Sequence, residues 1–123
     1  MAHIFPFSIA YADTDAGGIA YHGRYIEIAE RARMNWLRGA VPPAGNVGFV
    51  VREISARYLH PLRLGDDFVV VSEIVKRGGA SLHIEQKFVK DDVVCAIIQL
   101  TAAYIGGDLR PKRIPDEFLG SVK

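Results

Sequence analysis

The stretch Gly23-Arg24-Tyr25-Ile26-Glu27-Ile28-Ala29-Glu30-Arg31-Ala32-Arg33-Met34-Asn35-Trp36-Leu37 carries the only long helical period in this chain. Tyr25, Ile28, Ala29, Ala32 and Trp36 recur at three- and four-residue intervals, so one stripe of a helix over 23–37 is apolar. On the other face Glu27 is spaced to pair with Arg31 and Glu30 with Arg33. Gly39 and the run Val41-Pro42-Pro43-Ala44-Gly45-Asn46 cannot continue the helix. Everything else reads as strand. Residues 4–12 form a first strand that closes at the polar, glycine-rich turn beginning with Asp13. Residues 49–60 alternate, apart from a break at Arg52, and Pro61 and Gly65-Asp66 punctuate the connection that follows. Residues 68–76 are rich in β-branched side chains, and Arg77-Gly78-Gly79-Ala80 is a hairpin turn. Residues 81–90 and 93–105 are two further strands turned by Asp91-Asp92. Residues 106–123, with Pro111 and Pro115, read as a trailing segment.

A strand, one long helix and four strands in hairpin connection predict an α+β fold with a five-stranded, mostly antiparallel sheet. The lone helix must bury its stripe against one face of that sheet. Long strands curled around it give the hot-dog arrangement, a single domain over 1–123. The length of 123 residues leaves room for one domain. With 50% hydrophobic and 24% charged residues, the composition is that of a folded chain. The formal net charge is +1, without the dense basic face that phosphate neutralisation requires, so nucleic acid is not an expected partner. The longest apolar run, 93–98, is far short of the ~20 residues needed to cross a bilayer, and the first residues lack a basic leader region. The lone cysteine, Cys95, excludes an internal disulfide and a thiolate zinc cluster. A soluble protein of a reducing cytoplasm is expected. A domain this small leaves much apolar surface uncovered, which favours association with a copy of itself.

Reactive side chains concentrate in Tyr11-Ala12-Asp13-Thr14-Asp15-Ala16-Gly17-Gly18-Ile19-Ala20-Tyr21-His22-Gly23, between the first strand and the helix. Two carboxylates, a histidine and a tyrosine meet glycines that let backbone approach a ligand closely. The helix start supplies unpaired N–H groups and the positive end of a dipole, which can polarise a carbonyl. A neighbouring carboxylate can attack that carbonyl or deprotonate a water. On residue types alone, Asp13 and Asp15 also fit turn and cap positions, and His22 fits a residue that merely opens the helix.

The segment from Asp13 to His22, followed by Tyr25 and by Glu30-Arg31-Ala32-Arg33, closely resembles the signature of the 4-hydroxybenzoyl-CoA thioesterase family. It looks nearest to the branch of short-chain acyl-CoA thioesterases associated with the bacterial Tol–Pal system. The likeness continues through Phe49-Val50-Val51-Arg52, through residues 58–66, and through Arg77-Gly78-Gly79-Ala80-Ser81. The resemblance implies a hot-dog fold and hydrolysis of an acyl-CoA thioester without cofactor. It places the family's catalytic carboxylate on Asp15 rather than Asp13, as nucleophile or general base, and the branch's histidine on His22. Backbone N–H groups around His22 would polarise the thioester carbonyl, with Gly18, Tyr21 and Gly23 lining the substrate. It further implies pairing across a two-fold axis, as a homodimer or a tetramer of dimers, with each active site at a subunit boundary.

Other residues divide between a role and a bland reading. Lys76 and Arg77 beside Gly78-Gly79 suit CoA phosphates or a solvated hairpin tip, and Ser81 could add a pantetheine or phosphate contact. Arg110, Lys112 and Arg113 read as solvated tail. Glu30 lies where other hot-dog enzymes carry a catalytic glutamate, although Arg33 offers it a structural partner. Cys95 reads as a small buried residue rather than a nucleophile. His3, His60 and His83 are isolated, and no spacing matches a metal site. The expected substrate is an acyl-CoA or acyl carrier protein thioester. Two rivals share this fold: a hydratase or dehydratase on acyl thioesters, which needs a differently placed acid–base pair, and a non-catalytic acyl-CoA-binding module.

Overall fold

The computed structural model describes residues 2–37 and 46–116. Strand β1 (His3–Ser8) leads through a 3-10 turn at Tyr11–Asp13 to helix α1 (His22–Leu37). Strands β2 (Asn46–Tyr58), β3 (Asp67–Arg77), β4 (Ser81–Lys90) and β5 (Val93–Gly106) follow. They form one sheet in the order β1-β3-β4-β5-β2, every neighbouring pair antiparallel. The apolar stripe of α1 is buried as its spacing predicts, with Tyr25, Ile28, Ala29, Ala32 and Trp36 all inside. Against it lie Val70, Leu82, Ile84, Phe88, Ile98 and Leu100, the alternate residues of the three central strands. This is the expected hot-dog architecture.

Boundaries differ where backbone hydrogen bonds lead the chain elsewhere. The first strand ends at Ser8, not residue 12, because the Ile9 N–H and C=O bond to Asp66 and Gly65 of the β2–β3 connection. Strand β2 starts at Asn46, and it ends at Tyr58 because the N–H groups of Leu59 and His60 both turn to the Cys95 carbonyl. The alternation broken at Arg52 is a register shift between Val51 and Glu53, where Arg52 is the extra residue of a bulge. The predicted helix stop at Gly39 and the prolines after it lies outside the described residues.

Two expected surface pairs on α1 are replaced. Glu27 accepts from Arg24 at 2.8 Å, one turn N-terminal, rather than from Arg31. Arg33 turns inward, where its Nη1 donates to Gln86 Oε1 at 2.9 Å. The fully buried Gln86 amide in turn donates to the Ala29 carbonyl and to Ser72 Oγ. A polar side chain in the sheet interior needs every bond it can make, and the guanidinium supplies one. Residues 106–116 do more than trail. Lys112 N–H donates to the Tyr104 carbonyl, Ile114 N–H to the Gly79 carbonyl, and the Ile114 side chain is buried. Arg110, Lys112 and Arg113 remain exposed.

Candidate active site

The loop between β1 and α1 is held by the β2–β3 connection. Ala20 N–H donates to the Leu62 carbonyl at 2.8 Å and Leu64 N–H to the Gly18 carbonyl at 3.0 Å. Within the loop, Asp15 N–H reaches the Ile19 carbonyl, and Gly18 N–H returns to the Asp15 carbonyl. Gly18 makes this turn at φ +79, where a side chain would be strained.

The two aspartates face different surroundings. Asp13 is buried, and both of its oxygens are occupied. Oδ2 accepts the Ala10 N–H at 2.8 Å, while Oδ1 accepts Nε and Nη2 of Arg24 at 2.9 and 2.6 Å. The Asp13 carboxylate, and after it Glu27, raises the pKa of the Arg24 guanidinium. Asp15 is exposed, and one oxygen, Oδ1, accepts the Gly17 N–H at 2.8 Å. Its Oδ2 has no hydrogen-bond partner among the described residues and is free to act on a ligand.

Asp15 and His22 line one cavity of about 360 Å³ with Ile19, Ala20, Tyr25, Tyr58 and residues 59–61. His22 is the first residue of α1 and exposed, so the cavity opens onto the helix N-terminus. Its ring lies 4.3 Å from that of Tyr21 and meets Tyr58 edge-on at 6.4 Å. A side chain at Gly23 would begin 3.1 Å from the Tyr21 ring, so the glycine keeps that ring close. Tyr25 is buried, accepts the Leu62 N–H at 3.2 Å and packs against Tyr58 and Phe88. Burial pushes the Tyr25 phenol up, and that of Tyr58 likewise, so both remain neutral near pH 7.

A thioesterase-like superfamily model matches residues 9–122. The chain belongs to that superfamily. Its relatives include the acyl-CoA thioesterase YbgC of Haemophilus influenzae, 30% identical over 120 residues, 92% of this chain and 88% of that protein. The acyl-CoA thioester hydrolase YbgC of Escherichia coli is 39% identical over 90 residues, covering 69% of this chain and 67% of its own. A crystal structure of a probable thioesterase from Bartonella henselae superposes with a TM-score of 0.83 at 27% identity, covering 94% and 100% of the two chains.

In this member of the superfamily the expected residues do not all meet. Of the expected residues only Asp15 and His22 line the cavity. Tyr21 and Gly23 flank His22 at the helix start, Gly18 sits in the turn of the loop, and Lys76, Arg77 and Ser81 lie at the far end of β3 and the start of β4. The eleven residues of β3 span roughly 30 Å between those ends. Ser81 serves its own hairpin, its carbonyl accepting the Gly78 N–H at 2.9 Å. Glu30, eight residues beyond His22 and so ~12 Å along the helix, borders a separate apolar cleft of about 630 Å³ beside Met34, Phe49 and Leu82. Cys95 is buried, and burial raises its thiol pKa. No group of three His, Cys, Asp or Glu residues able to hold a metal occurs among the described residues, and none of their helices is long and apolar enough to cross a membrane. Sequence reasoning missed Tyr58 and His60 as cavity residues; the resemblance ran through residues 58–66 and Pro61 marked the chain's turn, but neither gave these two side chains a role.

Proposed function

We propose that this chain hydrolyses acyl-CoA thioesters to a carboxylic acid and free CoA, with Asp15 as nucleophile or general base. The observation that carries the reading is the unshared Asp15 Oδ2 in a cavity that opens on the N-terminus of α1. The unpaired N–H groups there, with the helix dipole behind them, stabilise the negative charge that grows on the thioester oxygen. Asp15 takes a proton from water, whose oxygen bonds to the acyl carbon as the C–S bond breaks. Alternatively, Asp15 attacks that carbon first and water hydrolyses the resulting anhydride. In either route the sulfur leaves as thiolate and is protonated to free CoA. The His22 ring at the cavity wall orients the water or the thioester. Acyl-CoA names on the H. influenzae and E. coli relatives support CoA as the carrier.

The working unit is proposed to be a homodimer joined along β2. This strand is one edge of the sheet, and it exposes Val47, Val50, Val51 and Ile54. Antiparallel pairing of two such edges about a two-fold axis sets the Asn46 end of one copy beside the Tyr58 end of the other. The hairpin carrying Lys76, Arg77 and Ser81 lies at the Asn46 end of its own chain, because Ser81 pairs with Ala103 and Ala103 with Val50. Those bases of one copy then approach the cavity of the other, within reach of the CoA phosphates.

Thiol release measured over acyl-CoAs of increasing length tests the activity. Short aliphatic or aromatic acyl groups are expected to be cleaved with higher kcat/KM than palmitoyl-CoA. Asp15→Asn, which keeps the shape and removes the basic oxygen, is expected to lower kcat by about a hundredfold or more. Near-normal kcat in folded Asp15→Asn would overturn the assignment.

A further inference from the structure

We infer that His60 is a further catalytic residue, the acid that gives a proton to the departing CoA sulfur; this rests on the function proposed above. His60 lines the cavity that also holds Asp15 and His22. It is carried there by the β2–β3 connection, which is paired to the active-site loop through the Ala20 and Leu64 N–H groups and the Ile19–Arg63 bridge. The N–H groups of Leu59 and His60 fix the turn on the Cys95 carbonyl at 2.9 and 3.0 Å. The His60 side chain is exposed, and its ring makes no hydrogen bond, ion pair or ring contact among the described residues. The other titratable groups on the wall are committed. Tyr25 accepts the Leu62 N–H, Tyr58 donates to the His22 carbonyl at 2.8 Å, and burial pushes both phenols up, so they keep their protons. The His22 ring is packed on those of Tyr21 and Tyr58, and Asp15 is the nucleophile or base.

Both routes of the reaction use such a group. When Asp15 attacks the acyl carbon, the new C–O bond forms and the C–S bond breaks before any water has lost a proton. The sulfur's proton then has to come from an acid other than Asp15, and a His60 imidazolium supplies it and becomes neutral. Water next bonds to the acyl carbon of the anhydride, its proton passes to His60, and the bond from that carbon to Asp15 breaks. Carboxylate and imidazolium are both restored. When Asp15 acts as base, it takes the water's proton while His60 gives its own to the sulfur, and the proton on Asp15 returns to His60. Either way one thioester and one water become one carboxylic acid and one thiol. An imidazole both gives and takes a proton near neutral pH, as this cycle requires.

His60→Gln keeps an exposed polar side chain and removes the ionisable ring. With butyryl-CoA its kcat is expected to fall about a hundredfold, the low end of what a positioned acid contributes, with KM little changed. The S-phenyl thioester of butyric acid separates proton transfer from a structural effect, because thiophenol is acidic enough to depart without a proton. On that thioester the variant and the wild type are expected to differ by less than about threefold. An unchanged kcat on butyryl-CoA, a loss confined to KM, or the same loss on both thioesters would each overturn the inference. An inactive Asp15→Asn beside a fully active His60→Gln sinks this inference alone. An impaired His60→Gln beside a fully active Asp15→Asn sinks the role of Asp15 alone, and a wild type that releases no thiol sinks both.

Discussion

Asp13 and Asp15 are the same residue type two positions apart, and the fold gives them opposite tasks. Asp13 is buried under Arg24 and the Ala10 amide, with both oxygens occupied. Asp13→Asn leaves Arg24 without its carboxylate and puts an NH₂ or a neutral oxygen against the Ala10 N–H. A loss of about 1–3 kcal/mol of stability is expected, the range for an impaired buried polar contact. Denaturant unfolding checks the loss, and thiol release per folded molecule should stay near wild type. A collapse of kcat in that variant beside an active Asp15→Asn would exchange the two roles. Both readings of these carboxylates were open in the sequence, where each fits a turn. Only the contact with Arg24, eleven residues on, separates them.

At the scale of elements, the β2–β3 connection is what holds the active-site loop, and Asp66 anchors that connection. Its carboxylate accepts Lys90 Nζ at 2.8 Å from the end of β4 and the Arg63 N–H at 2.7 Å. The Lys90 bond first, and the Arg63 N–H second, hold the Asp66 pKa below its ordinary 3.8. A depressed carboxylate stabilises the folded state above its unfolded value, and that stability drains as pH falls through the lower folded value. Asp66→Asn should therefore be less stable than wild type at neutral pH. The difference should shrink once the pH falls below about 4, and chemical denaturation at several pH values reads it. A gap that stays constant into acid would mean the carboxylate charge is not what Lys90 recognises. The helix, the hairpin at Gly78-Gly79 and the break in alternation at Arg52 were legible in the chain, and the structure makes that break a bulge. The early end of β1 was not, because it depends on Asp66 and Gly65, far along the sequence.

At the scale of the whole molecule, β2 is an edge strand whose outer side has no partner among the described residues, and it exposes apolar side chains. Light scattering is expected to give twice 13.6 kDa, or a multiple of that for paired dimers. Val47→Lys with Val51→Lys puts charges along the edge, a device by which natural edge strands avoid pairing. That double variant should be monomeric and poorly active, since the cavity would lose the basic hairpin of the second copy. A 13.6 kDa particle with full thioesterase activity would rule the arrangement out.

Local rules were sufficient for much of this protein. The apolar period of 23–37, the β-branched strands and the glycine turns act over a few residues, so they determined the helix, the strands and the antiparallel α+β class. The stretch from Asp13 to Gly23 likewise marked where reactive groups and a helix start coincide. Tertiary structure decided everything that depends on distant partners. It buried Asp13 under Arg24 and left an Asp15 oxygen unshared, drew Arg33 inward to Gln86, and folded Ile114 back onto Gly79. It set Lys76 and Arg77 at the opposite end of β3 from Asp15, and it laid the Tyr58 hydroxyl on the first peptide of the helix. The contacts among these join residues eleven to 53 positions apart, where spacing along the chain carries no information about contact in space.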